Sequence, residues 1–284
     1  MKMKSIVLKL ILLIFTTILV ISCNNDDDII IPVGPQPTGN KVVYDLNSVS
    51  DPDISGSATI IEMDDNSITV ELDLNNTVAG DLHPAHIHFN SAADGGGIAR
   101  TLGTVDGDTG FSTINFSKLD DGTTITYTQL LDFDGYINVH QSVADLNTLI
   151  AQGDIGQNEL TGESKVYDLL TKDVPGISGT ATLEKRMNGT TLITLMLEGT
   201  TAGDIHPAHI HEHDAATGGA IVITFNSVDG TTGISKTQVA TLDDDTPITY
   251  TELLDFDGYI NVHKSAEDLG TLIAQGDIGS NEIP

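Results

Sequence analysis

The sequence predicts an all-β chain built as two tandem domains, each an antiparallel sandwich or barrel. Three observations carry this. First, the chain repeats itself: HPAHIH at His83–His88 returns at His206–His211, and DGYINVH at Asp134–His140 returns at Asp257–His263, both after 123 residues. Val43-Tyr44-Asp45-Leu46 and Val166-Tyr167-Asp168-Leu169 keep that offset, so the units span 41–160 and 165–284 with almost no linker. Each is the size of an ordinary domain rather than of a solenoid repeat. Second, short Val, Ile, Thr and Leu runs alternate with period two, as in Ser67-Ile68-Thr69-Val70-Glu71-Leu72-Asp73-Leu74, and no stretch has helical periodicity. Third, turn signals at Asp64-Asp65-Asn66, Asp94-Gly95-Gly96-Gly97, Asp106-Gly107 and Asp120-Asp121-Gly122 punctuate the first unit at the spacing of an antiparallel fold. About seven to nine strands per unit are expected, with one helical turn near Ser142 to Leu146.

The N-terminus reads as a targeting segment. Lys2, Lys4 and Lys9 flank an apolar stretch whose unbroken part, Leu10 to Ile21, is too short to span a bilayer. Its end, Val20-Ile21-Ser22-Cys23, resembles a bacterial lipoprotein cleavage box, which makes residues 1–22 a signal peptide and Cys23 the lipidated anchor. The lone cysteine is thereby explained. Residues 23–40 then form a tether: an acidic run followed by Pro and Gly residues expected neither to propagate a helix nor to pair in a sheet. Acidic residues just after the lipidated cysteine resemble a surface-export signal, and an ordinary solvated linker is the alternative. The expected location is the cell envelope, with the lipid in the outer membrane.

Charge narrows the partners. Twelve Lys and Arg stand against 41 Asp and Glu, a net charge of -29, which becomes -32 once the three signal lysines are removed. Such a chain repels phosphate backbones, so nucleic acid is excluded as a partner, and membrane attachment has to come through the lipid at Cys23. The acidic surfaces of the two units suggest weak mutual attraction, against which stand Lys41 and Lys165 at the junctions. One cysteine forms no internal disulfide and no CxxC. Any metal is therefore held by His or carboxylate. Aspartate-rich turns lack the twelve-residue spacing of a calcium loop and read as solvated edges. GxSxG, Walker and HExxH motifs are missing from the sequence.

Histidine supplies what chemistry the sequence offers. Eight of the nine histidines fall into two identical sets of four. Residues two apart in a strand share a face. In Ala85-His86-Ile87-His88 the apolar pair turns inward and both imidazoles outward. In Tyr136-Ile137-Asn138-Val139-His140, Ile137 and Val139 take the core side. If the two strands are neighbours, His86, His88 and His140 converge on one exposed point, and His209, His211 and His263 do so in the second unit. Three neutral imidazoles on rigid strands suit copper or zinc and leave a coordination position open. Solitary surface histidines are the alternative. His83 and His206 precede prolines that break the strand ladder and read as orienting or structural. His213, unique to the second unit, is a peripheral ligand or nothing.

At these residues the chain resembles a known family. HPAHIH, a Gly-rich turn, and DGYINVH followed by TLIAQGDIG are similar to the CHRD domain, first described in chordin and common in bacterial secreted proteins. The likeness covers nearly all of both units, though Asp154-Ile155-Gly156 departs from the family wording. A more distant likeness is to copper/zinc superoxide dismutase: His83, His86 and His88 match its HxxHxH spacing. Its VVHxxADDLG segment is similar to Val139 through Leu146 and to Val262 through Gly270. These resemblances imply an Ig-like or superoxide-dismutase-like sandwich or barrel. They also imply copper ligands at His86, His88 and His140 and at His209, His211 and His263. No histidine lies between His88 and His140 to bridge to zinc, and Leu149 or Leu272 falls where the family's anion-guiding arginine would be. The expectation is a lipoprotein with two metal-binding or partner-binding domains; the rivals are a copper redox enzyme and a purely structural or adhesive module.

Overall fold

The computed structural model describes residues 34–282; the signal segment, Cys23 and the first part of the tether lie outside the described residues. Apart from two short helices, the described chain is built of strands. The first eight are β1 (Pro37–Ser48), β2 (Ser55–Met63), β3 (Ile68–Asn75), β4 (Leu82–Phe89), β5 (Ile98–Asp106), β6 (Phe111–Phe116), β7 (Asp134–Ser142) and β8 (Asp145–Gly156). They close a barrel in the order β1-β2-β3-β6-β5-β4-β7-β8, with antiparallel pairing throughout. Alternation makes the core: in β3, Ile68, Val70, Leu72 and Leu74 are buried while Glu71 and Asp73 face away. Ala85, Ile87, Ile137 and Val139 join the same cluster, each with 0% exposure.

The second repeat has the same plan, shifted by 123 residues in the sequence. Its strands are β9 (Leu160–Thr171), β10 (Ser178–Arg186), β11 (Thr191–Glu198), β12 (Ile205–His206), β13 (Ala208–Glu212), β14 (Ile221–Thr224), β15 (Val228–Asp229), β16 (Ile234–Val239), β17 (Asp257–Ser265) and β18 (Asp268–Gly279). They form a curled sheet ordered β12-β15-β16-β11-β10-β9-β18-β17-β13-β14. The larger count is two interruptions: β12 and β13 together match β4, and β14 and β15 together match β5. Pro207 makes the first break, as proline is expected to. Pro84 does not: β4 runs through it, pairing with Thr104.

Three sequence expectations change. The helical turn is not at Ser142–Leu146, where a tight turn joins β7 to β8. Instead α1 (Tyr127–Leu131) and α2 (Tyr250–Leu254) enter β7 and β17. Each starts in a capping box, Thr126 with Gln129 and Thr249 with Glu252, and drops one leucine, Leu130 or Leu253, into the core. Five residues are too few to show helical periodicity. Residues 37–40, expected in the tether, extend β1: Pro37 pairs with Met63 across an irregular register at Gly39, whose φ is 101°. Residues 161–164, expected as linker, lie inside β9.

The repeats also make a specific junction rather than the weak contact their charge suggests. Arg186, at the end of β10, is wholly buried, and its Nη1 donates to Asp154 Oδ2 of the first repeat at 2.8 Å and to the Asn158 carbonyl. Asp154 Oδ1 also accepts the Ala92 N–H at 2.8 Å. Beside them Met187 N–H donates to Glu159 O at 2.9 Å and Asn188 N–H to Gln157 O at 3.1 Å. The copy of this aspartate, Asp277, holds Ala215 in the same way, and among the described residues no ion pair involves it. Removing one partner of a buried pair strands the other charge. Asp154→Ala is therefore expected to lower unfolding stability by about 3 kcal/mol, and Asp277→Ala by only about 1 kcal/mol. Urea unfolding of the two variants checks this.

Candidate metal centre

The site is assembled by one strand pair in each repeat. In β4 and β7 the register sets His86 opposite Asn138 and His88 opposite Tyr136. Because Ala85, Ile87, Ile137 and Val139 fill the core, His86, His88, Tyr136, Asn138 and His140 all take the outer face. The rings gather there: His86 lies 5.8 Å from His88 and 5.1 Å from His140, centroid to centroid, and His88 lies 6.4 Å from His140. In the second repeat His209, His211 and His263 stand at 6.0, 5.1 and 6.4 Å in the same arrangement. One nitrogen from each ring lies within 4.8 Å of the other two in each triad. Donors around a tetrahedral ion sit roughly 3.3 Å apart. A small inward closure brings the triad to that spacing, and either triad can hold a metal ion.

Backbone carbonyls decide which nitrogens those are. His88 Nδ1 donates to Gly96 O at 2.9 Å and His140 Nδ1 to Leu146 O at 2.7 Å. A carbonyl only accepts, so each Nδ1 carries the proton and each Nε2 keeps its lone pair. His88 Nε2 is buried with no partner, and His140 Nε2 faces His86 Nδ1 at 3.1 Å. The second repeat copies this: His211 Nδ1 bonds Gly219 O at 3.0 Å and His263 Nδ1 bonds Leu269 O at 2.7 Å. There His209 Nδ1 and His263 Nε2 are buried and unpartnered, and Asn261 Nδ2 reaches His211 Nε2 only at 3.4 Å. Burying acceptors without donors is costly, and a metal ion can fill that role at either triad; His83 and His206, outside the triads, also leave Nε2 buried and unpartnered.

The surroundings hold the rings in place. Tyr136 stacks on His88 with centroids 4.9 Å apart, and its hydroxyl accepts the Gly96 N–H at 3.0 Å, clamping the loop whose carbonyl orients His88. A side chain at Gly96 would strike the Phe89 carbonyl, so the approach requires glycine. Tyr259 and Gly219 repeat the clamp. Asn138 accepts from Gln152 Nε2, and Asn261 from Gln275 Nε2, both at 2.8 Å. Thr101, the register partner of His86, donates its N–H and hydroxyl to Asp120, whose charge acts on His86. These partners come from loops and from β5, and the histidine spacing carries no sign of them. The Gly95-Gly96-Gly97 turn and the outward phase of Tyr136 and Asn138 are in the sequence; their roles are not.

Two expectations about the histidines need restating. The triads are recessed rather than exposed: His88 keeps 9% and His140 7% of its surface, and His263 keeps 7%. The loops that supply the orienting carbonyls cover them. His83 and His206 stay outside the triads and take the core-side phase. Each is almost fully buried, with Nδ1 bonded to Gln141 O at 2.9 Å or Lys264 O at 2.8 Å, a structural tie between neighbouring strands. His213 is exposed, in a left-handed turn, 3.4 Å from Asp257 Oδ2 and apart from the triad.

No family model, no curated protein and no solved structure matches this chain.

Burial first, then the facing rings, hold His86 and His209 below the ordinary imidazole range; burial and then the third ring do so for His140 and His263. These rings are therefore neutral at pH 7 and ready as ligands. On acidification the unfolded chain takes up protons first, near the ordinary imidazole pKa of about 6.5. The metal-free fold loses stability as pH falls from there through the lower folded-state values. In EDTA, the urea midpoint of the native chain is expected to drop between pH 7.5 and 5.5 by more than that of a His86→Gln/His140→Gln variant. Equal drops would show that these rings do not titrate differently on folding.

Proposed function

We propose that the chain is a cell-envelope lipoprotein whose two CHRD-like domains each bind one copper or zinc ion without turning over a substrate. The observation that carries this is the convergence of three imidazoles in each repeat, one nitrogen of each within 4.8 Å of the other two, with His88 Nε2 in the first repeat and His209 Nδ1 and His263 Nε2 in the second buried without a partner. Three imidazoles, two of them held by backbone carbonyls with Nε2 as the open nitrogen, are a borderline ligand set that suits these metals over calcium or magnesium. A bound ion would supply Lewis acidity at an open fourth position. The chain's own contribution is to fix ring orientation through Gly96, Leu146, Gly219 and Leu269, to shield the centre with loops, and to keep the rings unprotonated.

Charge argues against rapid superoxide turnover, because a chain of net charge -29 repels an anionic substrate that steered enzymes attract. Metal analysis and copper EPR on the purified chain test the reading: two equivalents of ion are expected, without superoxide dismutation. His86→Ala/His140→Ala is expected to remove one equivalent and leave the other. Absence of metal, or loss of both equivalents together, would overturn it. The anchor is tested separately. Cys23→Ser should move the protein from the membrane fraction to the soluble one and abolish labelling by a radioactive fatty acid.

A further inference from the structure

The two triads are copies, yet their surroundings carry different charge. In the first repeat Thr101 donates its N–H and hydroxyl to Asp120 Oδ2 at 2.9 and 2.7 Å. In the second, Thr224 donates its N–H to Asp243 Oδ1 at 2.9 Å and its hydroxyl to Oδ2 at 2.8 Å, and Thr224 is the register partner of His209 as Thr101 is of His86. Each carboxylate acts on the first histidine of its triad. Only Asp120 is neutralised. Arg100 Nη1 closes on Asp120 Oδ1 at 2.9 Å, with the guanidinium 4.9 Å from the centre of the Phe116 ring. The equivalent of Arg100 is Ile223, buried in the second core with 3% exposure, and among the described residues no ion pair involves Asp243. The second repeat does gain one cation beside its triad, Lys264 in place of Gln141. Its ammonium pairs with Asp268 at 3.6 Å, and it alternates with His263 along β17, so it faces away from the rings.

We propose that the two metal sites are graded, the second-repeat triad binding a divalent cation more tightly than the first, with Arg100 as the residue that sets the difference. This rests on the metal reading above and deepens it. Beside the first triad the pair Arg100–Asp120 presents almost no net charge. Beside the second, Asp243 presents a full negative charge to an incoming dication. In a partly buried setting a unit charge within about 8 Å of a dication shifts affinity by about tenfold. The consequence is sequential loading: at limiting metal the second domain fills first, and the first domain answers only to a higher concentration.

The test measures zinc affinity by competition with a chromophoric chelator on the purified full chain in two backgrounds. His86→Ala/His140→Ala leaves the second site, and His209→Ala/His263→Ala leaves the first. The second site is expected to bind about tenfold more tightly. Adding Arg100→Met should tighten the first site towards the second, and adding Asp243→Asn should loosen the second towards the first. Zinc bound equally at both sites, or a gap that Arg100→Met and Asp243→Asn both leave untouched, would overturn the grading while leaving the metal reading intact. Zinc bound at neither would overturn both. Because Asp243→Asn is isosteric and Asp243 is exposed, it keeps the test decisive if Arg100→Met destabilises the first barrel.

Discussion

Four aliphatic side chains position everything that follows. Ala85 and Ile87 on β4 and Ile137 and Val139 on β7 are wholly buried, and strand alternation then commits His86, His88, Tyr136, Asn138 and His140 to the other face. Each larger aliphatic gains about 1.5–3 kcal/mol by leaving water, so the strand phase is set by the core and not by the histidines. A slip of one residue would send the imidazoles into a hydrocarbon interior, where their polar nitrogens would find no partners. The register His86 opposite Asn138 is thus enforced from behind the sheet, and the metal centre inherits its geometry from a packing requirement.

Alternation alone would leave three mobile rings on a surface. Loop carbonyls convert them into a site. Gly96 and Leu146 fix the tautomers of His88 and His140, and the Tyr136 ring and hydroxyl hold the Gly96 loop down on them. Orientation and shielding come from the same loops, which is why the triads are recessed. Within the triads, His88 Nε2 in the first repeat and His209 Nδ1 and His263 Nε2 in the second are left buried without a protein partner. Buried acceptors without donors cost free energy in the metal-free fold, and each repeat carries that cost within its triad, though at different atoms.

Strand phase, repeat boundaries to within a few residues and the membership of each triad are legible in the sequence, because period-two alternation and a fixed offset are local signals. What sequence could not give is set by long-range pairing. Asp120 reaches the His86 neighbourhood only because Thr101 lies beside it after two strand reversals. Arg186 looks like one more surface base at a strand end until the repeats meet and Asp154 takes it. The short helices were readable in principle, as Thr126-x-x-Gln129 and Thr249-x-x-Glu252 are capping boxes, but a single turn has no periodicity to draw attention to it.

The duplication offers a control on what the fold itself needs. From Ile60 to Glu71 and from Leu183 to Thr194 no position agrees, yet β2 with β3 and β10 with β11 form equivalent antiparallel ladders. Alternation of apolar and polar residues is evidently enough to build that hairpin. An inert scaffold would make no stronger demand of β4, β7 and their loops. There, however, the outer face has kept its identity as well as its polarity: the three histidines, the stacking tyrosine, Asn138 with Gln152, the clamped glycine and the carboxylate on threonine all recur in the second repeat. Among the neighbours the charge does change, Arg100 to Ile223, Gln141 to Lys264 and Phe89 to Glu212, and the first of these alters the field at the triad without touching its geometry. Outward-facing polar identity, where packing asks only for polarity, is what a ligand set would demand of these strands, and the metal reading rests on it.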